Sequence, residues 1–163
     1  MNTREIDEAL RRHPITKCIF RGVYSADEVP DFTNLPSGCI VNTDASDQPG
    51  SHWVALYQDK PGVIETFDSF GRELRTYSPH LANLAKKNRI ISQSYQLQSD
   101  TSTVCGQYCI FFLLRRASHE TYSHIIHLFT DYMKANDIMV CQYVNHYFNL
   151  NTEIQDDDFL RQF

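Results

Sequence analysis

The chain has 163 residues, 42% of them hydrophobic and 12% aromatic, which is enough to bury a core as one folded domain. Its formal net charge of −5 gives no overall basic excess, so the charge does not support a nucleic-acid partner. We expect a single domain over residues 1–163, with about 150–163 as a flexible or loosely docked tail.

Five cysteines occur at spacings that match no disulfide scaffold: Cys18, Cys39, Cys105, Cys109 and Cys141. No apolar leader opens the chain, so we expect free thiols in an intracellular, reducing compartment. The longest strongly apolar run, residues 109–114, is too short to span a bilayer, and we expect no membrane partner.

The first half of the chain predicts one short helix and three strands. Apolar residues at helical spacing indicate a helix over residues 3–12, and a loop-rich stretch with several prolines follows. Short β-rich runs then predict strands over 38–43, 52–57 and 63–67. A Lys-Pro-Gly turn joins the last two, so these should form an antiparallel hairpin.

The second half of the chain predicts mostly helices. A helix over 78–87 begins with Ser-Pro, and a weakly alternating run over 89–97 indicates another strand. Residues 105–118 are apolar almost all round, which is typical of a buried central helix. Two further helices are expected over 120–134 and 137–148. The predicted fold class is therefore α+β, with a small, mostly antiparallel sheet packed on a buried central helix.

Cys105 lies where a polar stretch gives way to the apolar helix, which places its thiol at a helix N-terminus. Unpaired backbone N–H groups and the helix dipole favour the thiolate there, and the thiolate is the nucleophilic form. Gly106 would leave the backbone open to a substrate carbonyl, so we assign it to substrate binding. On its own, a free cysteine is more often a small core residue.

His52 opens one strand of the predicted hairpin and Asp68 ends the other, so both should lie at one end of the sheet. The carboxylate of Asp68 could then accept from Nδ1–H of the imidazole and fix its tautomer. Beside them, Ser51 and Trp53 are candidates for substrate binding. The alternatives are a surface histidine and a turn-opening aspartate, and Glu65, a competing carboxylate, is expected to face solvent.

Gln98 lies seven residues before Cys105, at the predicted end of a strand. Its amide could donate one hydrogen bond to a tetrahedral oxyanion, with the backbone N–H of Cys105 supplying the other. The simpler interpretation is a polar loop residue, and Gln93 and Gln96 are nearby alternatives. The order His, Asp, Gln, then Cys-Gly at the start of an apolar helix is far more specific than any one residue.

This ordered set resembles the adenovirus-type cysteine proteases, in the wider group that includes the SUMO-deconjugating proteases. The resemblance is carried by His52-Trp53, Phe67-Asp68-Ser69-Phe70-Gly71, Gln98 and Cys105-Gly106. It runs from about residue 20 to 117 and implies a papain-like, adenain-like architecture. By resemblance, His52 is the base, Cys105 the nucleophile and Asp68 the acidic third member. Gln98 would then lie in the oxyanion hole.

The resemblance also implies a function: a cysteine endopeptidase that cleaves structural or core precursor proteins of a virus or virus-like element during particle maturation. Protein or peptide substrates, and a location in the host nucleus, the cytoplasm or the virus particle, follow from it. Two alternatives stay open, namely a deconjugating peptidase acting on ubiquitin-like modifiers and an inactive protease-like binding module. We expect a monomer without a cofactor. The adenoviral activating peptide is held by a disulfide, and residues 87–98, the corresponding stretch here, contain no cysteine.

Two other kinds of site have candidate residues in the sequence, a disulfide pair and a zinc site. Cys105 and Cys109 are four apart on a helix, where Cβ atoms lie about 5–6 Å apart. A disulfide needs roughly 3.5–4.5 Å, so we expect Cys109 in the core. His119, His124 and His127 have no cysteine or carboxylate pattern to complete a tetrahedral zinc site, so surface histidines are expected.

Overall fold

The computed structural model describes residues 1–148, so the predicted tail over about 150–163 lies outside the described residues. The strands are β1 (Phe20–Tyr24), β2 (Ser37–Asn42), β3 (Trp53–Lys60), β4 (Val63–Phe67) and β5 (Arg89–Ile91). The helices are α1 (Thr3–Arg12), α2 (Pro79–Lys87), α3 (Cys105–Ala117), α4 (Tyr122–Ile126) and α5 (Met133–Phe148), with a short 3-10 turn at Leu74–Thr76.

All five strands form one sheet in chain order. The central strands β2, β3 and β4 are antiparallel, while β1 and β5 pair in parallel with β2 and β4 at the two edges. The α+β prediction is confirmed. The loop-rich interpretation of the residues after Pro14 is wrong at β1, because this short edge strand alternates weakly and contains Gly22 at a positive φ of 143°.

The first helices begin where side chains cap them. Asn2 accepts the backbone N–H of Glu5 and the Glu5 carboxylate accepts the backbone N–H of Asn2, so α1 starts with a reciprocal capping box. Ser78 accepts from the backbone N–H of Leu81 at the start of α2. These local signals explain why both predicted helices match the structure closely.

The core is built around α3, whose residues from Gly106 to Leu114 are all buried. On its side of the sheet, α3 packs with Ile6 and Leu10 of α1 and with Val140 of α5. A second apolar cluster on the opposite face contains Leu81 of α2. The sheet is thus covered on both sides, and the N-terminus of α3 comes to the end of the β3–β4 hairpin where the candidate site lies.

The predicted strand over 89–97 is too long, since β5 ends at Ile91. After Ile91, residues 92–97 pair with no strand in the described part of the chain. The backbone N–H groups of Leu97 and Gln98 instead both donate to the carbonyl of Ser69, at 2.8 and 3.1 Å. Gln98 therefore lies in a loop and not at the end of a strand.

The predicted helix over 120–134 is also wrong, because the chain leaves α4 after Ile126 and starts α5 at Met133. The side chain of Asn136 holds the intervening segment. Its Oδ1 accepts from the backbone N–H of Thr130 at 2.9 Å, and its Nδ2 donates to the Thr130 carbonyl at 2.8 Å. These bonds replace the backbone bonds that a continuous helix would have made at Thr130.

Candidate active site

The hairpin brings His52 and Asp68 together, because His52 directly precedes β3 and Asp68 directly follows the antiparallel strand β4. Nε2 of His52 lies 2.7 Å from Oδ1 of Asp68, and both side chains are buried. Cys105 is the first residue of α3, and its thiol is close enough to the His52 imidazole for the two groups to shift each other's pKa. Three residues far apart in the sequence thus form one connected set.

The His52 ring is oriented opposite to the expectation. Asp68 meets Nε2 and not Nδ1, which leaves Nδ1 as the ring nitrogen for Cys105. Phe70 and Tyr77 flank the imidazole, with ring centroids 5.1 and 5.7 Å from it. Because Nε2 faces the Asp68 carboxylate, the expected tautomer is corrected to one with the proton on Nε2 when the ring is neutral.

The Asp68 carboxylate is held by the turn that it opens. Oδ1 accepts the backbone N–H of Phe70 at 2.9 Å, and Oδ2 accepts the backbone N–H of Arg72 at 3.1 Å and the hydroxyl of Tyr77. Burial raises the pKa of Asp68, but the hydrogen bonds from His52 and these donors outweigh it and hold the pKa below its ordinary value. Asp68 is therefore both a turn residue and a charged partner of His52.

The electrostatics favour an ion pair between Cys105 and His52. Burial lowers the pKa of His52, but the hydrogen bonds and charges of Asp68 and Cys105 raise it to about 9. Burial raises the pKa of Cys105, but the hydrogen bond and charge of His52 bring it below its ordinary value. Backbone hydrogen bonds at Trp53 and Gly106 lower it further. The arrangement stabilises a thiolate beside an imidazolium, which is the reactive form of a cysteine nucleophile.

Gly71 closes the turn with an N–H that donates to the Asp68 carbonyl at 2.9 Å. Its φ is +66°, and a Cβ here would lie 2.8 Å from the backbone nitrogen of Tyr95 and closer still to its carbonyl. Glycine is required on both counts. The turn over 68–71 is thereby packed directly against the loop that leads to Cys105.

Gln98 lies in that loop with only 1% of its surface exposed. Its Oε1 accepts from the hydroxyl of Ser69 at 2.7 Å, and its Nε2 donates to the carbonyl of Ser102 at 2.9 Å. The amide is therefore held in one orientation in the loop before α3. Its role as an oxyanion donor stays a prediction. Its neighbour Gln93 donates to the Asp68 carbonyl and supports the turn, and Gln96 donates to the carbonyl of Gln98.

The first turn of α5 holds the same loop from behind. Nδ2 of Asn136 donates to the Leu97 carbonyl at 3.0 Å, and the backbone N–H of Ser99 donates to the Asp137 carboxylate at 3.3 Å. The hydroxyl of Tyr108 donates to Oδ1 of Asp137 at 2.9 Å. Burial raises the pKa of Asp137, and these donors offset the rise only in part. No sequence pattern signals these contacts, which join residues far apart along the chain.

The predicted substrate-binding residues have different surroundings. Ser51 is exposed and Trp53 is half-buried, both next to His52, and their roles stay predictions. The role of Gly106 in substrate binding also stays a prediction. A Cβ at Gly106 would lie 3.3 Å from Cδ1 of Ile6 and 3.4 Å from Sδ of Met1, so the missing side chain allows the N-terminal segment to pack closely there.

Glu65 does not face solvent as expected. It is buried and paired with Arg116, whose Nη2 donates to Oε1 at 3.1 Å. Nε of Arg116 lies 2.7 Å from Oε2 without hydrogen-bond geometry, so that contact is ionic only. The Arg116 guanidinium also lies 4.2 Å from the centroid of the Tyr57 ring. Glu65 is therefore occupied elsewhere and does not compete with Asp68.

The alternative chemistries find no support in residues 1–148. All five cysteines are free, and burial raises the pKa of the Cys109 thiol well above its ordinary value. His119, His124 and His127 are exposed, and no cluster that could hold a metal ion occurs in this part of the chain. Within the same residues, none of the helices has the length and apolar character needed to cross a membrane.

Comparison with known proteins identifies viral proteases as relatives, although no protein-family model matches. A cysteine protease of African swine fever virus, named SUMO-1 cysteine protease in other isolates, is 30% identical over 100 residues, covering 55% of this chain and 37% of that protein. A protease of Bovine adenovirus C serotype 10 is 34% identical over 100 residues, covering 52% of this chain and 51% of its own. The resemblance drawn from the motifs is confirmed. The chain spans about half or less of the length of these relatives.

The fold has a solved counterpart as well. The crystal structure of the African swine fever virus protease superimposes with a TM-score of 0.56 at 21% identity, covering 92% of this chain and 68% of the viral one. At this identity, the likeness is one of fold. It confirms the predicted adenain-like architecture for the described residues.

Proposed function

We propose that this chain is a cysteine endopeptidase of the adenovirus type, acting through Cys105, His52 and Asp68. The observation that carries the proposal is the placement of the His52 imidazole between a carboxylate and a thiol that opens a buried helix. The same placement lowers the pKa of Cys105 and raises that of His52, as an activated nucleophile requires. The names of the sequence relatives support it.

The chemistry follows from the paired charges. The Cys105 thiolate attacks the peptide carbonyl, and the carbonyl π electrons move onto oxygen. Nδ1–H of the His52 imidazolium protonates the leaving amine as the C–N bond breaks, which leaves a thioester on Cys105. Neutral His52 then removes a proton from water, which attacks the thioester and releases the acid. Asp68 keeps Nε2 protonated throughout and stabilises the imidazolium.

The oxyanion formed at each attack needs donors. We assign them to the side-chain amide of Gln98 and the backbone N–H of Cys105, which lies at the N-terminus of α3, where the helix dipole favours negative charge. The buried, fixed amide of Gln98 supports the assignment, because a preorganised donor costs no reorganisation during the reaction.

The substrates we propose are structural or core precursor proteins of a virus or virus-like element, cleaved during particle maturation in an infected cell or in the particle. The viral origin of the relatives supports this choice. The alternative is removal of a ubiquitin-like modifier, which the name SUMO-1 cysteine protease of the African swine fever virus relative favours. An inactive binding module is the third candidate, and the connected set of Cys105, His52 and Asp68 argues against it.

One experiment separates these functions. Purified chain is incubated with fluorogenic Gly-Gly peptides, with unfolded precursor fragments and with folded modifier conjugates. We expect cleavage of peptides and precursors, and none with Cys105→Ala, while Cys18→Ala, which removes an exposed thiol, cleaves normally. Cleavage of conjugates alone would favour deconjugation. Turnover retained in Cys105→Ala, or a thiol probe that labels Cys105 no faster than Cys18, would reject the enzyme.

A further inference from the structure

We propose that Ser69 is a positioning residue that sets which end of the Gln98 amide faces the oxyanion, an inference that rests on the proposed function. Both side chains are buried, each with 1% of its surface exposed. The hydroxyl of Ser69 donates to Oε1 of Gln98 at 2.7 Å. Neither reacts with substrate through this contact, which acts on the orientation of the amide.

The orientation of the Gln98 amide decides whether it presents a hydrogen-bond donor or an acceptor. A glutamine side chain has one acceptor and a pair of N–H donors. Ser69 occupies the acceptor, and the Ser102 carbonyl takes one N–H at 2.9 Å. Within residues 1–148, the structure shows no acceptor for the second N–H, and this is the donor that the proposal assigns to the oxyanion.

The reversed amide would be harmful to catalysis. Rotated by half a turn, Gln98 would set its oxygen against the Ser102 carbonyl and present an acceptor in place of the donor. The Ser102 carbonyl opposes that rotation directly, because it can only accept. The Ser69 hydroxyl could accept from the reversed amide, but its own O–H would then lose the one acceptor that residues 1–148 show for it, and this loss disfavours the rotation. Without the Ser69 hydroxyl, only the Ser102 carbonyl favours the working orientation of the amide. In that orientation the buried Oε1 of Gln98 then has no donor, which costs free energy.

Ser69 also connects the two halves of the site through its backbone. It follows Asp68 directly, and its carbonyl accepts the N–H groups of Leu97 and Gln98 at 2.8 and 3.1 Å. Asp68 holds the imidazole and Ser69 holds the amide. One turn after β4 therefore sets the base and the oxyanion donor relative to each other.

The test compares two reactions of the same thiol. With p-nitrophenyl acetate, the thiolate attacks the acetyl carbonyl, an S–C bond forms through an oxyanion, and the C–O bond breaks to release p-nitrophenolate. Iodoacetamide alkylates the thiolate by displacement of iodide without any oxyanion. We expect Ser69→Ala to slow acylation of Cys105 about 10-fold, below the 10²–10³ typical for complete loss of an oxyanion donor. Alkylation should be unchanged.

The controls isolate the route through Gln98. Ser94→Ala, in the same loop but exposed, should change neither reaction. Adding Ser69→Ala to Gln98→Ala should slow acylation no further, because Ser69 then has no amide to orient. Equal slowing of both reactions by Ser69→Ala, an additional loss in the Gln98→Ala background, or acylation as fast as in Ser94→Ala would overturn the proposal.

The experiments distinguish failure of the proposed peptidase function from failure of the Ser69 proposal. A chain that cleaves no peptide or precursor, yet shows the expected pattern with the ester, is not the proposed peptidase but retains the Ser69–Gln98 arrangement. Ester acylation no faster in the unsubstituted chain than in Cys105→Ala would overturn the Ser69 proposal directly. Urea unfolding of each variant identifies a loss that is due to folding alone, which would appear in alkylation as well.

Discussion

His52 meets Asp68 through Nε2, 2.7 Å from Oδ1, and so presents Nδ1 to the thiol of Cys105. The proton on Nε2 is committed to the carboxylate, whereas the proton on Nδ1 is the one that can move. The two ring nitrogens therefore have separate tasks, one structural and one chemical.

This division predicts the pH range of catalysis. The thiolate forms as the pH rises through the lowered pKa of Cys105, and the imidazolium is lost as the pH rises through about 9, the pKa of His52. We expect peptide cleavage to fall through about pH 9, whereas alkylation by iodoacetamide, which needs no proton donor, persists. Rates of both reactions from about pH 5 to about pH 10 measure this. Cleavage that continues to rise above pH 9 would contradict it.

Removing the His52 imidazole should raise the pKa of the Cys105 thiol and slow its alkylation at neutral pH. In His52→Ala, burial is no longer offset by the hydrogen bond and charge of His52, so the pKa of Cys105 rises. We expect alkylation at neutral pH to slow about 10-fold or more, with the rate recovering at alkaline pH. An unchanged alkylation profile in His52→Ala would show that the helix N-terminus alone activates Cys105.

Asp68→Asn should slow peptide cleavage and also shift the alkaline limb of its pH profile, the decline in rate at high pH. The charge that raises the pKa of His52 is lost, so the decline in cleavage should move to lower pH. We expect cleavage to fall about 10²-fold, within the range typical of general acid–base catalysis, and clearly less than in Cys105→Ala. The pH dependence of kcat/KM provides the measurement, and an unshifted alkaline limb would refute the role of Asp68.

The positions of the three residues in the proposed triad could be predicted because each lies at the end of a strongly patterned element. His52 and Asp68 bound the two strands of a hairpin, and Cys105 opens the most apolar helix. The ring orientation of His52 could not be predicted, since it depends on Phe70 and Tyr77, whose rings arrive from a turn and from a short 3-10 segment.

The conformation of the loop from β5 to α3, by contrast, could not be predicted from the sequence. Its polar residues alternate weakly and suggest a strand, yet it is held by side chains from distant segments. Asn136 and Asp137 at the start of α5 bind it on one side, and Ser69 binds it on the other. Such contacts join residues about thirty to forty positions apart and have no period along the chain, so local patterns cannot predict them.

Gly71 and Gly62 form a matched pair for testing the packing of the turn against the loop. Both have positive φ, 66° and 74°, but a Cβ at Gly62 would meet nothing within 4 Å whereas one at Gly71 would meet the backbone of Tyr95. Gly62→Ala should cost about 1–2 kcal/mol for its backbone conformation. Gly71→Ala should cost about 1–3 kcal/mol more through overpacking. Urea unfolding compares them, and equal losses would contradict the close approach.

Arg116 and Glu65 predict a stability change that depends on pH. Arg116→Met leaves the buried Glu65 without its cation, and the free energy of unfolding should fall by about 3–5 kcal/mol at neutral pH. The loss should shrink toward about pH 5, because a Glu65 carboxyl with a raised pKa takes up a proton more readily when folded. Adding Glu65→Gln should restore part of the stability in urea unfolding. No restoration would mean that Arg116 acts by packing alone.

The largest effects that lower the pKa of Cys105 come from His52, at the start of the distant β3–β4 hairpin, and this has a consequence for newly made molecules. In a chain still emerging or incompletely folded, the Cys105 thiol lacks this partner and is mostly protonated at neutral pH. Chemical competence appears only when the hairpin and the buried helix have docked. Reactivity of this one sulfur is thus a reporter of completed folding.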